Sequence, residues 1–443
     1  MQINARAYVA VYPRVFEAGK EQTITIAPKY DFISFEGSYT VTVLPRFYFT
    51  SHDRLAHFEG FPVEAQNNRL CFTYRFEQEQ EYLIQAVPTD PEAANPRTVL
   101  TSVYALEADL LKRKVAKGEL HMHTTYSDGL ESPEHRIVTA RKMGHDFVGI
   151  TDHNSAGGSA RAIAILNKIP NSMVALRGEE VHADFCPIHI LALGANRPIA
   201  PEVTRRSQAL LAQLAEIEAA YRPELPDHVD ARSFAAAIDV FRRIRQAGGI
   251  SVLCHIYWDS IHPENGTRMG TPEQLIDAVV AHGEFDAFEI TSGAPGNDTK
   301  ANYLQEAYYR EKLPARFPII GVTDTHTTDT ALGSIFGKNY TIAFLEDFSE
   351  AGIVQAILQY HTVSVDAVVG NPICHGDLRL CKYATFLLQE YFPAHDEAVA
   401  IEGMCMAKIL NGDLQYIPIL EKVCADNIRE LTLEWGAILP KQA

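Results

Sequence analysis

The chain has 443 residues, 47% hydrophobic and 21% charged, with 27 glycines and 23 prolines; this ordinary globular composition excludes wholesale disorder and collagen-like or fibrous structure. The 39 basic and 56 acidic side chains leave a formal charge of −17, which argues against a dedicated binder of long nucleic acid or of an anionic membrane. A phosphorylated substrate stays open, because bound metal ions can invert the local field.

The length exceeds what one core usually serves, so two or three domains are expected. Residues 1–112 read as β. Runs rich in Val, Ile, Thr, Tyr and Phe occur at Ala7–Tyr12, Thr23–Ile26, Tyr39–Leu44, Leu70–Phe76, Tyr82–Val87 and Leu100–Leu106. Turn-forming clusters separate them, and this spacing predicts an antiparallel β-sandwich of immunoglobulin-like size, a docking or oligomerisation module and so a possible homo-oligomer contact. Met1–Tyr12 lacks a charged segment followed by an apolar one, so no secretory signal is expected. No apolar run approaches the roughly 18 residues that cross a bilayer. Seven cysteines, scattered and without a CxxC pair, predict reduced, buried thiols in a cytoplasmic protein.

A basic connector, Asp109–Lys117, leads into residues 113–348, where strand and helix patterns alternate. Expected strands are Gly118–His123, Asp146–Thr151, Met173–Val181, Ile188–Leu193, Ile250–Cys254, Ala287–Ile290 and Pro318–Val322. Expected helices are Pro133–Met143, Ala160–Lys168, Thr204–Tyr221, Phe234–Gln246, Pro272–Ala281 and Asn302–Lys312. Such alternation predicts parallel strands with helical crossovers. From 349 to 443 the pattern reads as helical, with candidates at Phe348–Gln359, Leu378–Tyr391, Glu397–Leu410 and Asp413–Trp435.

Twelve of the 17 histidines lie between residues 121 and 326, and several end the predicted strands of the middle region. His121 and His123, two apart, project to one side of an extended chain. Asp128 follows in the next loop. His153, Glu180 (preferred over Glu179), His189, His255 (preferred over His262) and the pair Asp324/His326 stand at or beside later strands. In a β/α barrel these ends converge on one face, where active sites are built. Imidazole and carboxylate are the donors that Zn, Mn and Fe share, and a catalytic zinc uses about three protein ligands. Six histidines and three carboxylates therefore imply two or three ions. Closely spaced ions lower the pKa of a bound water and hold attacking and leaving oxygens, so hydrolysis of phosphate esters is the expected reaction. His182, two residues after Glu180, and the loop cations Arg268 and Lys338 are candidates for contacting substrate. Asp152 is a candidate for orienting a ligand. His135, His145, His228, His282, His361, His375 and His395 are expected in surface, capping or packing roles.

These residues resemble the PHP family, the polymerase and histidinol phosphatase domain. Its pattern, HxHxxxSDG, TDH, GxE, an internal His before a LALG-like run, a strand-final His and DxH, is met in order by HMHTTYSDG (121–129), TDHN (151–154), GEE (178–180), HILALG (189–194), LCH (253–255) and TDTH (323–326). The resemblance covers about residues 117–345. It implies a distorted (β/α)7 barrel holding a trinuclear Mn, Fe or Zn site. His121, His123, Glu180 and Asp324 would hold one ion. Glu180 would bridge to a second held by His189 and His255, and Asp128, His153 and His326 would hold the third. Glu180, Asp324 and His326 would carry catalysis. Many relatives have His-Pro where this chain has His255-Ile256, and neither the β region nor the helical tail belongs to the core pattern. The function so implied is a metal-dependent phosphoesterase using a metal-bridging hydroxide on a mono- or diester of a small molecule or nucleotide. Two other readings stay open, an exonuclease on short oligonucleotides and a non-catalytic, metal-stabilised scaffold. The acidic charge and the absence of basic clusters interleaved with aromatics lower the nuclease reading.

Overall fold

The computed structural model describes residues 2–46, 58–90, 98–261, 266–293 and 298–440. The chain is mixed α/β and divides into two compact units. One comprises Met1–Val115, Lys382–His395 and Ala425–Lys441; the other comprises Ala116–Cys381, Asp396–Cys424 and Gln442–Ala443. The helical C-terminal region is thus shared between them.

In the first unit, strands Val9–Tyr12, Lys20–Pro28 and Leu70–Phe76 form a three-stranded sheet, and a six-stranded sheet runs through Ser38–Pro45, Gln80–Pro88 and Thr98–Leu106. Their inward residues, among them Ile24, Ile26, Val41, Val43, Leu70, Phe72, Ile84 and Val103, share one core. The expectation of purely antiparallel pairing is corrected at Thr98–Leu106, which pairs in parallel with Gln2–Asn4 and Val15–Glu17. The long stretches between these partners supply the crossovers that parallel pairing needs. Thr98–Leu106 is buried on both faces from Thr101 onward. Within the same unit Tyr104 packs on Tyr383 and Phe386. Arg14, almost wholly buried, reaches Glu434 at 2.8 Å and Glu390 at 3.1 Å. C-terminal helices therefore cover the second face of this strand.

The second unit holds two large sheets and, among the described residues, a two-stranded one of Asp259–Ile261 and Arg268–Gly270. One runs Val174–Leu176, Phe147–Ile150, Lys114–Met122, Asn339–Leu345, Thr362–Asp366, Ile373–His375; the other runs Gly178–Val181, Ile190–Leu193, Ile250–Leu253, Ala287–Thr291, Ile319–Gly321. Apolar strands such as Ile190–Leu193 and Asn339–Leu345 are buried along their whole length, as expected where both faces are covered. Isolated parallel bridges, Met122 with Thr325 and His153 with Glu180, join ends of strands across the two sheets.

Four expectations are corrected. The strand read as Met173–Val181 is two strands in different sheets. They part at Arg177, whose backbone N–H and guanidinium both bond Glu350 and so leave the ladder. Gly178–Val181, Ile190–Leu193 and Ile250–Leu253 pair antiparallel rather than parallel. The region after residue 349 is not purely helical, because Thr362–Asp366 and Ile373–His375 are strands added onto Asn339–Leu345. Their alternating Thr-Val-Ser-Val pattern is a strand signal that the surrounding helical periodicity hides. The helix expected at Thr204–Tyr221 starts later, at Gln208, where Ser207 accepts the N–H of Leu210.

His145 sits just before Phe147–Ile150, fully buried beside Phe336 and Tyr340. Burial pushes its pKa down to about 3, helped by the nearby Lys117 ammonium. The unfolded chain binds this proton near pH 6.5, so the folded state is at full advantage above that pH and loses it as the pH falls. Between pH 7 and pH 5 the loss from this group alone is about 2 kcal/mol. Urea titrations at the two pH values should show a smaller difference for His145→Phe than for the parent chain. An equal difference in both would rule out His145 as the buried neutral group.

Candidate metal centre

Each chemistry-bearing side chain stands at or just past the end of a strand. His121 lies in the last turn of the ladder of Lys114–Met122 and His123 just beyond it, on the same side of the chain. Asp128 occupies the following loop, closed by Gly129, where a Cβ would lie 2.4 Å from the backbone of His123. His153 follows Phe147–Ile150, Glu180 lies within Gly178–Val181, and His189 immediately precedes Ile190–Leu193. His255 follows Ile250–Leu253, and Asp324 and His326 follow Ile319–Gly321.

These residues converge on Glu180. Its Oε2 lies 3.2 Å from His121 Nε2, 3.3 Å from His123 Nε2 and 2.9 Å from His153 Nδ1. Its Oε1 lies 3.2 Å from His182 Nε2, 3.0 Å from His189 Nδ1 and 3.1 Å from His255 Nε2. Asp324 Oδ1 stands 2.9 Å from His123 and 3.2 Å from His121. Asp128 Oδ1 stands 3.5 Å from His153 and 3.4 Å from His326. The donor atoms group into His121/Glu180/His255/Asp324, His123/Asp128/His153/His326 and His153/Glu180/His182, each within 4.8 Å of one another. His121, His123 and Glu180 are fully buried, whereas the Asp128 side chain is 59% exposed. The cluster therefore opens toward solvent on the Asp128 side.

The electrostatics suit ligation. Burial alone would raise the Glu180 and Asp324 carboxyls, but the surrounding imidazoles, His121 foremost, hold both far below the usual carboxylate range. Asp128 is likewise lowered, its partial burial outweighed by hydrogen bonds from His153 and His326. Burial pushes His123 down to about 3 and His189 to about 4, so both stay neutral. Burial opposes protonation of His121 and His153 as well, yet the carboxylates prevail: His121 rises well above its ordinary value and His153 rises to about 10. Ionised carboxylates and neutral imidazoles are the states that bind metal, and the imidazoliums are cations that a metal would replace.

The donor set fits divalent Zn, Mn or Fe by its chemistry. A second observation agrees. His153 Nδ1, His182 Nε2 and His189 Nδ1 are buried against the Glu180 carboxylate yet make no hydrogen bond in acceptable geometry. Such crowding of acceptors and unpaired ring nitrogens is costly unless a cation is shared among them.

Several supporting groups have only weak sequence signals. Glu289 accepts from His121 Nδ1 at 2.9 Å and from the backbone N–H of His255 at 3.1 Å, aiming the His121 ring and holding the His255 backbone. Its signal was a lone acid in the otherwise apolar strand AFEIT. Glu119 Oε1 accepts three backbone N–H groups, from Leu120, His121 and Thr323, and burial raises its carboxyl to about 7. Arg136, fully buried, bonds the carbonyls of His123 and Thr325 and ties together two of the site-bearing segments. Trp258 stacks on His189 with ring centroids 5.1 Å apart. Asp324 and Asn154 adopt left-handed backbone at φ 50° and 51°, a region that Asn and Asp enter more readily than other side chains.

The remaining sequence candidates lie as follows. Asp152 does not bond an imidazole; it accepts from Thr124 N, Thr124 Oγ1 and Ser127 Oγ and so holds the loop that carries Asp128. Lys338 is exposed and its ammonium meets none of the cluster residues among the described contacts. Arg268 opens the short strand Arg268–Gly270, and its side chain lies outside the described residues, as does His262. All seven cysteines are free, and the buried Cys254 thiol, grouped with His121 and His255, is raised well above its ordinary value by burial. No helix among the described residues is long and apolar enough to cross a membrane.

No family model matches the chain, and no curated protein matches it. Among solved structures, it is similar to a two-domain protein from Bacteroides vulgatus described as containing a predicted PHP-like metal-dependent phosphoesterase. That likeness has 19% identity and a TM-score of 0.37, over 58% of this chain and 66% of the other, so the chain spans slightly less than two thirds of that protein. It is also similar to a candidate metal-dependent phosphoesterase from Bifidobacterium adolescentis, with 19% identity, a TM-score of 0.29 and 47% and 87% of the two chains covered. A third is an amidohydrolase from Chromobacterium violaceum with bound sulfate and no metal, at 21% identity, TM-score 0.28 and 48% and 88% coverage.

Removing the charge at Glu289 leaves His121 Nδ1 without its carboxylate partner. Glu289→Gln is expected to weaken binding of divalent metal by about 10- to 100-fold, read by competition with a chromogenic chelator. Unchanged affinity would show that Glu289 does not govern the His121 ring.

Proposed function

We propose that the chain is a metal-dependent phosphoesterase of the PHP type, acting on a phosphate mono- or diester of a small molecule or nucleotide. One observation carries this reading: a single buried carboxylate, Glu180, is ringed by six imidazole nitrogens at 2.9–3.3 Å. Asp324 and Asp128 flank it. The nine positions His121, His123, Asp128, His153, Glu180, His189, His255, Asp324 and His326 would hold two or three ions. Bound there, divalent ions would lower the pKa of a coordinated water and stabilise charge on the phosphoryl oxygens.

The chain's own residues prepare that chemistry. Glu289 and Glu119 fix the ring and backbone of His121. Glu180, Asp324 and His326 stand closest to the reacting group in this reading, with the opening beside Asp128 as the approach for substrate. His182, 30% exposed at the rim, and the rim residue Asp128 shape what enters. The same reading takes the two sheets of the larger unit as a distorted (β/α)7 barrel, the β-rich part of the first unit as immunoglobulin-like, and the protein as cytoplasmic. Its acidic charge, −17 overall, favours small substrates over long nucleic acid.

The test uses purified chain stripped of metal and reloaded with Mn²⁺, assayed on p-nitrophenyl phosphate, bis-p-nitrophenyl phosphate and nucleoside monophosphates. Turnover is expected to require metal and to fall to background in His123→Ala together with metal content. If metal-loaded protein hydrolyses none of these esters while His123→Ala still loses its metal, the centre stands and the phosphoesterase reading fails.

A further inference from the structure

We propose that His182 is itself a metal-holding residue, a tenth beyond the nine strand-end positions, acting through Nε2 on the Oε1 side of Glu180. This rests on reading the cluster as a metal centre. The motif that locates Glu180 does not require a histidine two residues on, so the assignment comes from geometry.

Glu180 and His182, two apart at the end of Gly178–Val181, project to the same side of the chain. His182 Nε2 lies 3.2 Å from Glu180 Oε1 and is buried, yet it makes no hydrogen bond in acceptable geometry. An imidazole seeking a hydrogen bond would aim its N–H at so near a carboxylate. Two ligands each about 2.1 Å from one ion stand roughly 3 Å apart, which is the separation seen. The same nitrogen groups with His153 and Glu180 as a set whose donor atoms are mutually within 4.8 Å.

The ring is held in that orientation. It stacks on His189 with centroids 3.6 Å apart and planes 19° from parallel, and His189 is backed in turn by Trp258. His189 Nδ1 approaches the same Glu180 oxygen, at 3.0 Å. The backbone of His182 is clamped by one side chain: Asn154 Oδ1 accepts the His182 N–H at 2.8 Å, and Asn154 Nδ2 donates to the His182 carbonyl at 3.3 Å. Asn154 does this from a left-handed backbone conformation, which asparagine adopts more readily than most side chains. Mere contact with a passing substrate gives no reason for a ring fixed by stacking and a backbone fixed by two bonds. An ion that must be met with fixed geometry does.

The experiment measures metal directly, independent of turnover. Full-length parent, His182→Gln, His182→Ala and Asn154→Ala are stripped with chelator and reloaded with Zn²⁺ or Mn²⁺. Ions per chain are counted by elemental analysis, affinity is measured by chelator competition, and folding is checked by circular dichroism. Both His182 variants should lose one ion or bind it about tenfold or more weaker, and Asn154→Ala should fall between them and the parent. If His182→Ala does not fold, His182→Gln and Asn154→Ala carry the comparison. Parent-like stoichiometry and affinity in His182→Gln overturn the proposal, even if KM for an ester rises, since that pattern marks a substrate contact. A parent chain that takes up no metal removes the centre itself, and this inference with it.

Discussion

Everything in the larger unit is arranged around the cost of burying the Glu180 carboxylate. A charge taken out of water is expensive unless cationic or hydrogen-bonding partners surround it. Glu180 is fully buried, and its neighbours are six imidazoles rather than arginines or lysines. Imidazole is the one cationic partner that can give up its proton and become a metal donor near neutral pH. The choice of histidine makes the site able to exchange protons for divalent ions.

The supporting structure fixes strand ends rather than strand middles. Glu119 gathers three amide N–H groups, two from Lys114–Met122 and one just past Ile319–Gly321, and Arg136 gathers the carbonyls of His123 and Thr325 further along the same segments. Glu289 joins the His121 ring to the His255 backbone. Each of these groups is a buried ionisable side chain, and each would be a liability without its partners. Their placement beneath the histidines explains how loops that are exposed at Asp128 stay positioned at their roots. Asp152 belongs to the same layer, since it anchors Thr124 and Ser127.

The first unit solves a different problem. Thr98–Leu106 is buried on both faces from Thr101 onward. Residues 382–395 and 425–441 supply part of that cover, with Arg14 pairing to Glu390 and Glu434 and with Tyr383 and Phe386 on Tyr104. The tail that reads as a separate helical region is thereby partly a component of the β-rich unit. Local periodicity marks a helix's apolar stripe but not the surface it meets.

The sequence by itself marked the candidate donors. Strand-terminal histidines and carboxylates are legible because strand ends carry turn signals and because alternation sets which side a pair such as His121 and His123 faces. It also located most strands and helices, since their apolar periodicity is local. What only tertiary structure decided is which groups meet across long separations. Glu289 under His121, Arg136 across to Thr325, and the split at Arg177 that sends one apparent strand into two sheets depend on partners 168, 189 and 173 residues away. The same holds for the hairpin at Thr362–Asp366, whose short alternation is decided by the open edge of Asn339–Leu345. Donor chemistry is a property of single side chains and can be read along the chain. The centring of six imidazoles on one carboxylate is a property of packed strand ends, and no local pattern encodes it.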